Sequence, residues 1–299
     1  MARPLRIEFP GAVYHVTSRG DRQEPIFKDD ADRHIFLEVV DQAMTRLDAE
    51  AVSFCLMGNH YHFVLRTRQS NLSRLMRHIN GEYTRAFNRR HGVCGHLFQG
   101  RFHAVLVDCD AYLIQVCRYV ELNPVRASLV AAAADWMWSS YRAHIGMERG
   151  PIWLATKELH GQMLGRDALS SEDRHQAASL YAATVATGLG VDLWSGNLRS
   201  EIFLGEEKFV AESQARATQQ RLACVEINKA QRNSPRTLAS WTTADRARQE
   251  SFRLAYSEGG MTMAEIARQA GLSLSRVSRM IRCAEELQHS RPDSVVRKT

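Results

Sequence analysis

The sequence lacks any uncharged run of 18 residues, so it offers no membrane-spanning helix. Its six cysteines, Cys55, Cys94, Cys109, Cys117, Cys224 and Cys283, show no C-x-x-C spacing, which excludes a zinc ribbon or a thioredoxin-like redox pair. Most of them sit in apolar stretches and read as small core residues. The first residues, MARPLRIEFPG, have no apolar run of the kind a secretory signal needs, so a cytoplasmic protein with reduced thiols is expected. Lysine is scarce as well: five, against 34 arginines, in a chain of formal charge +6. A guanidinium fork suits bidentate phosphate contacts, so the imbalance favours a nucleic-acid partner and a nucleoid-associated location. Arginine enrichment also follows genomic base composition.

With 299 residues, 44% of them hydrophobic, the chain can form one large domain or two smaller ones. Gly11 to Arg19 alternates like a half-buried strand. Asp29 to Leu47 carries Ile35, Phe36, Val39, Val40, Ala43 and Leu47 at helical spacing. Strands follow at Ala51–Met57 and His62–Thr67, separated by the turn residues Gly58 and Asn59. Asn71 to Arg90 is an amphipathic helix with Leu72, Leu75, Met76, Ile79, Tyr83 and Phe87 on one stripe. Phe102–Val107 is a fourth strand, and Asp110–Leu122 a helix stopped by Asn123-Pro124. The order β-α-β-β-α-β-α predicts an α+β fold: a ferredoxin-like split βαβ domain with an antiparallel sheet, two helices on one face and a trailing helix. This domain is expected over residues 1–145, a mostly helical connecting region over 146–250, and a polar tail over 289–299. Residues 251–288 carry a helix-turn-helix pattern. Met263, Ile266, Ala267 and Ala270 form one face, Gly271 turns, Ser273 caps, and Leu274, Val277 and Ile281 form the next stripe. That leaves Arg276, Arg279 and Arg282 available to DNA.

Two pairs of residues carry chemistry. His60 and His62 flank Tyr61 in GNHYHFVLRT and share one face if the strand begins there, about 7 Å apart along it. Two neutral imidazoles so placed can hold a divalent cation, or be two exposed histidines at a strand end. Some sixty residues later, Tyr119 and Asn123 in CRYVELNPVRASLV share a helical face, as a nucleophile and a ligand, or as a core tyrosine and a capping asparagine. His15 and His103 border this region from the first and fourth strands. Glu121 lies about 200° around the helix from Tyr119 and is expected to face elsewhere.

Taken together, these strings resemble the REP-associated tyrosine transposases, a branch of the single-tyrosine HUH transposases. The resemblance covers residues 1–145 and rests on FPGAVYHVTSRG (9–20), MGNHYHFVL (57–65), FQGRF (98–102), YVELNPVRASLV (119–130) and WSSYRAH (138–144). It implies that His60 and His62 hold a divalent metal, Mg²⁺ or Mn²⁺, that Tyr119 is the nucleophile, and that Asn123 is a third ligand. Many single-tyrosine relatives place glutamine there, one methylene longer. The implied activity is metal-dependent nicking and joining of single-stranded DNA next to hairpin repeats, through a 5′-phosphotyrosine.

Between Arg66 and Arg101 stand eight arginines (Arg66, Arg68, Arg74, Arg77, Arg85, Arg89, Arg90 and Arg101) and one acid, Glu82. Such a window suits a phosphate track. Arg66 shares strand parity with the histidines, which predicts positive charge beside the metal. Tyr83, Phe98 and Phe102 can stack bases or fill the core. Two other readings stand beside the enzyme. One is a non-catalytic, sequence-specific DNA-binding regulator using the C-terminal helix-turn-helix. The other is a replication or relaxation initiator, which the short remaining half and Tyr112, matching no motif, make weaker. The sequence does not decide between monomer and homodimer.

Overall fold

The computed structural model describes residues 7–232, 237–242, 247–257 and 261–289. They fall into two compact units, Met1–Gln220 and Arg221–Thr299. From residue 290 onward the polar tail lies outside the described residues.

The first unit begins β1 (Ala12–Arg19), α1 (Asp30–Leu47), β2 (Ala49–Leu56), β3 (His60–Thr67), α2 (Leu72–His91), β4 (His103–Val107), α3 (Cys109–Glu121). The strand order β2-β3-β1-β4 is antiparallel throughout, as a split βαβ requires. The strands are buried on both faces, not on one as alternation with polar residues suggested. Tyr14, Val16, Phe54, Tyr61, Phe63 and Leu65 point into a core with α1 and α2. The smaller Val13, Cys55, Val64, Val105 and Val107 pack against α3. Period 2 here separates large side chains from small ones, and each face is sealed by helices.

Asp29 caps α1 by accepting from the Asp32 amide at 3.0 Å, and Gly92 ends α2 in the left-handed region at φ 64°. Gly81 is different. It lies in the interior of α2, and a Cβ built on it meets nothing within 4 Å. A glycine there costs about 0.5–1 kcal/mol relative to alanine, and no packing within the protein asks for it.

Past α3 come α4 (Asn123–Arg126), α5 (Tyr141–His144), α6 (Thr156–Leu164), α7 (Ser171–Ala186), β5 (Leu198–Arg199), β6 (Phe203–Leu204) and α8 (Glu207–Arg232), the last running across the division between the units. β6 adds to β4 in parallel and β5 pairs antiparallel with β6, so the sheet has six strands and is not wholly antiparallel. Two-residue strands are too short to leave a periodic signal in the sequence.

A buried carboxylate ties this second layer to the sheet. Glu121 is fully buried. It accepts from Ser53 at 3.2 Å, from Tyr181 at 2.7 Å and from Ser140, and His144 Nδ1 lies 2.8 Å away. The register of β2 on β3 shifts between Ala51 and Ser53. That bulge puts Val52 and Ser53 both on the α3 side, which is how Ser53 reaches Glu121. The position does face away from Tyr119, and it anchors the helix that carries Tyr119 to β2, α5 and α7.

In the second unit, α9 (Arg248–Ser257), α10 (Met263–Ala270) and α11 (Leu274–His289) pack around Phe252, Ala255, Ile266, Val277 and Ile281. Thr262 and Glu265 form a capping box at the start of α10, and Gly271 at φ 64° makes the turn into α11. Leu274, expected in the stripe, is 55% exposed; the α11 contacts are made by Val277 and Ile281 instead.

Replacing Glu121 with alanine leaves three buried donors without their acceptor. We expect a loss of about 3 kcal/mol in unfolding free energy, read by urea titration. A loss below about 1 kcal/mol would show that the carboxylate is not the tie described.

Candidate functional site

β3 begins at His60, so His60 and His62 both lie on the strand, on its α3-facing side. The β1–β3 register sets Arg19 opposite His60, Thr17 opposite His62 and His15 opposite Val64. His15 is therefore the diagonal neighbour of His62 on the same face. Their rings stack with centroids 5.3 Å apart, and His15 Nε2 lies 3.0 Å from His62 Nδ1. The His60 ring stands edge-on to His62 at 5.0 Å, and its Nδ1 lies 2.7 Å from Asn59 Oδ1.

α3 brings Tyr119 to this cluster. Its ring centroid is 6.2 Å from that of His62 and 5.9 Å from that of His15. Arg126, on α4, places its guanidinium carbon 4.5 Å from the centre of the phenol ring and donates to the Tyr119 carbonyl at 2.9 Å. Trp194 closes the group, 5.2 Å from Tyr119 and 5.1 Å from His15 between ring centres. Three imidazoles, a phenol, an indole and a guanidinium thus meet from β1, β3, α3, α4 and the loop after α7. Tyr112, by contrast, points its hydroxyl to Asn197 Oδ1, 3.3 Å away.

Burial first, then the neighbouring histidines and arginines, set the charge of the rings. His62 is held well below the usual imidazole range. Burial pushes His15 down to about 3, with His103 adding to it, and His60 down to about 4, with Arg19 adding to it. All three are neutral at pH 7, the form that ligates cations. The donor set fits a divalent ion. His60 and His62 each use Nδ1 toward a partner, which leaves Nε2 of both for a metal and gives each ring an orienting contact. Asn123 commits its amide nitrogen to the carbonyls of Tyr119 and Val120, both at 3.1 Å, so its oxygen is what remains for a cation. Among the described residues no cluster of three His, Cys, Asp or Glu is built to hold a metal. A cation here would complete its shell with substrate or water oxygens.

Several sequence-based expectations change. Arg66 shares the histidines' face but not their end of the strand; it forks onto Glu158 of α6 and lies 3.6 Å from Glu50. Positive charge beside the histidines comes from Arg19 and Arg126 instead. Arg68 pairs with Glu50 at 3.2 Å, Arg85 with Glu82, and Arg90 with Asp29 and Asp32, both at 2.6 Å. The acids missing from the 66–101 window are supplied by other parts of the chain. Arg74, Arg77, Arg89 and Arg101 have no such partner among the described residues. Tyr83, Phe98 and Phe102 are buried and belong to the core, not to a stacking platform. Arg276 and Arg279 are exposed on α11. His15, Arg126 and Trp194 were the residues sequence reasoning undervalued. His15 had a signal in its parity with the histidine pair once strands β1 and β3 are placed side by side.

Because native His15 and His60 stay neutral down to about pH 3 and 4, the unfolded chain takes up protons below about 6.5 that the native chain refuses. Their contribution is complete above that pH and is lost as acid is added. In metal-free buffer the melting temperature is expected to fall from pH 7 to pH 4.5, and less steeply for His15→Gln. Identical slopes would contradict the burial described.

Comparison with known proteins adds to this geometry. A search of curated proteins finds no match. One similar solved structure is that of a REP-associated tyrosine transposase bound to a REP hairpin: 17% identity, 52% of this chain and 92% of that one covered, TM-score 0.43. Another, from Deinococcus radiodurans R1, is described as a "putative transposase": 16% identity, 40% and 96% covered, TM-score 0.30. Residues 9–123, the span from Phe9 to Asn123 that holds every residue of the pair and of the Tyr119 face, match the family model described as "Transposase IS200 like". Over this segment, which is less than half of the chain, the protein is similar to the IS200-like transposases.

Proposed function

We propose that this chain nicks and rejoins single-stranded DNA beside a folded hairpin, through a covalent 5′-phosphotyrosine on Tyr119. The observation that carries the reading is the meeting of the Tyr119 ring with the His60–His62 pair, from elements some sixty residues apart.

In this reading His60, His62 and the Asn123 oxygen would hold a divalent cation, Mg²⁺ or Mn²⁺, which would supply neutralisation of the charge that develops on the phosphate. The rest falls to the chain. The Tyr119 phenol must lose its proton to attack, and the Arg126 guanidinium, 4.5 Å from the ring centre, holds the ring in place. Tyr119 Oη forms a bond to phosphorus while the P–O3′ bond breaks. The strand ends are then a 5′-phosphate on the enzyme and a 3′-hydroxyl that has taken up a proton. Attack by a 3′-hydroxyl reverses the step and rejoins DNA without ATP, because the phosphotyrosine keeps the bond energy. His15 holds His62 in place, and Trp194 walls the site against water.

Tyr119→Phe should abolish the denaturant-resistant protein–DNA band formed on a labelled single-stranded hairpin while leaving binding within about twofold. His60→Ala should abolish the band too. A band persisting in Tyr119→Phe removes the proposal.

The exposed Arg276 and Arg279 on α11 support a second reading in which the C-terminal unit, as a helix-turn-helix, selects DNA sites. If it only recruits DNA, Arg276→Gln with Arg279→Gln weakens affinity by about tenfold yet preserves the covalent band at saturating DNA. Wild-type binding without any band, at any metal concentration, would favour the non-catalytic regulator.

A further inference from the structure

The outer face of α2 carries two hollows that share Arg77 and Gly81. One, of about 280 Å³, is lined by Arg46, Arg74, Arg77 and Arg85 with Glu82 as its acid. The other, of about 470 Å³, lies between α2 and the 95–102 loop and has Arg101 at its rim. Arg74, Arg77 and Arg101 make no ion pair among the described residues, whereas most other arginines of this stretch do. Between the hollows sits the interior glycine of α2, where a side chain would meet only open space.

A helix that gives up a side chain at a position the protein does not crowd, amid cations that the protein does not neutralise, is shaped for something from outside. We propose that Gly81 is a saddle over which the sugar–phosphate backbone of a DNA duplex, the stem of the hairpin, approaches α2. Arg74 and Arg77 then contact phosphates on one side and Arg101 on the other. The occupant is a duplex backbone, not a run of unpaired bases, because the rings of Tyr83, Phe87, Phe98 and Phe102 beneath this face are each no more than 8% exposed, which leaves the exposed His96 as the one ring the larger hollow offers. What remains is charge, and charge reads phosphate. The inference rests on the DNA-processing reading above and adds to it where the stem lies.

The test measures binding alone, in a Tyr119→Phe background without cleavage, so its outcome is independent of the covalent chemistry. A fluorescent hairpin and an unpaired strand of equal length are titrated at several salt concentrations. Gly81→Leu should weaken hairpin binding tenfold or more and leave the unpaired strand within twofold. Gly81→Ala should raise the melting temperature and still weaken the hairpin, a combination that a structural role does not give. Arg77→Gln should weaken the hairpin and flatten its log–log salt dependence by about one unit. Unchanged hairpin affinity in Gly81→Leu, or equal losses on both DNAs, overturns the proposal.

Discussion

Everything at the candidate site depends on the register of β1 against β3. With Thr17 opposite His62 and His15 opposite Val64, three imidazoles fall on the α3 side of the sheet. A slip of one residue would turn His60 and His62 into the aromatic core under α1 and α2 and bring Tyr61 and Phe63 out in their place. The size difference between the two faces opposes that slip: Tyr61 and Phe63 are fully buried among Phe36, Phe54 and Tyr83, a space the imidazoles cannot fill. Core packing on one face thereby fixes the placement of chemistry on the other.

The second constraint is the anchoring of α3. Tyr119 faces the histidines while Glu121, two residues on, is bonded to β2, α5 and α7. The bulge at Val52 makes one of those bonds available, and Ser140 of the WSSYRAH string supplies another, with His144 Nδ1 2.8 Å from the carboxylate. The helix that carries Tyr119 is thus held by a polar network behind it. The segment after residue 146, in which the sequence shows no chemistry, contributes Tyr181 to that network and Trp194 to the site itself.

The parts legible in sequence are those with a local signature. The helical stripe of α2, the turn at Gly58–Asn59, the order of the first seven elements and the shared face of His60 and His62 each follow from spacing within a window of residues. The illegible parts are long-range. Arg66 and Arg90 read as phosphate contacts because their acids, Glu158 and Asp32, are 92 and 58 residues away. β5 and β6 are too short to have a period. His15 looks ordinary until the register is known, and Arg126 until α3 turns into α4. Sequence charge counts overstate free charge wherever folding brings acids in from a distance; among the described residues of α2, Arg74, Arg77 and Arg89 keep no ion pair.

The chain's own cleavage sites allow the central claim to be tested directly. Arg118 and Arg126 bracket Tyr119, so trypsin releases it in YVELNPVR, whereas Tyr112 falls in the preceding peptide. Mass spectrometry of the denatured, digested adduct formed on a single-stranded hairpin should find the nucleotide on residues 119–126 in metal-containing reactions. A nucleotide on the peptide containing Tyr112, or on neither, would contradict the account.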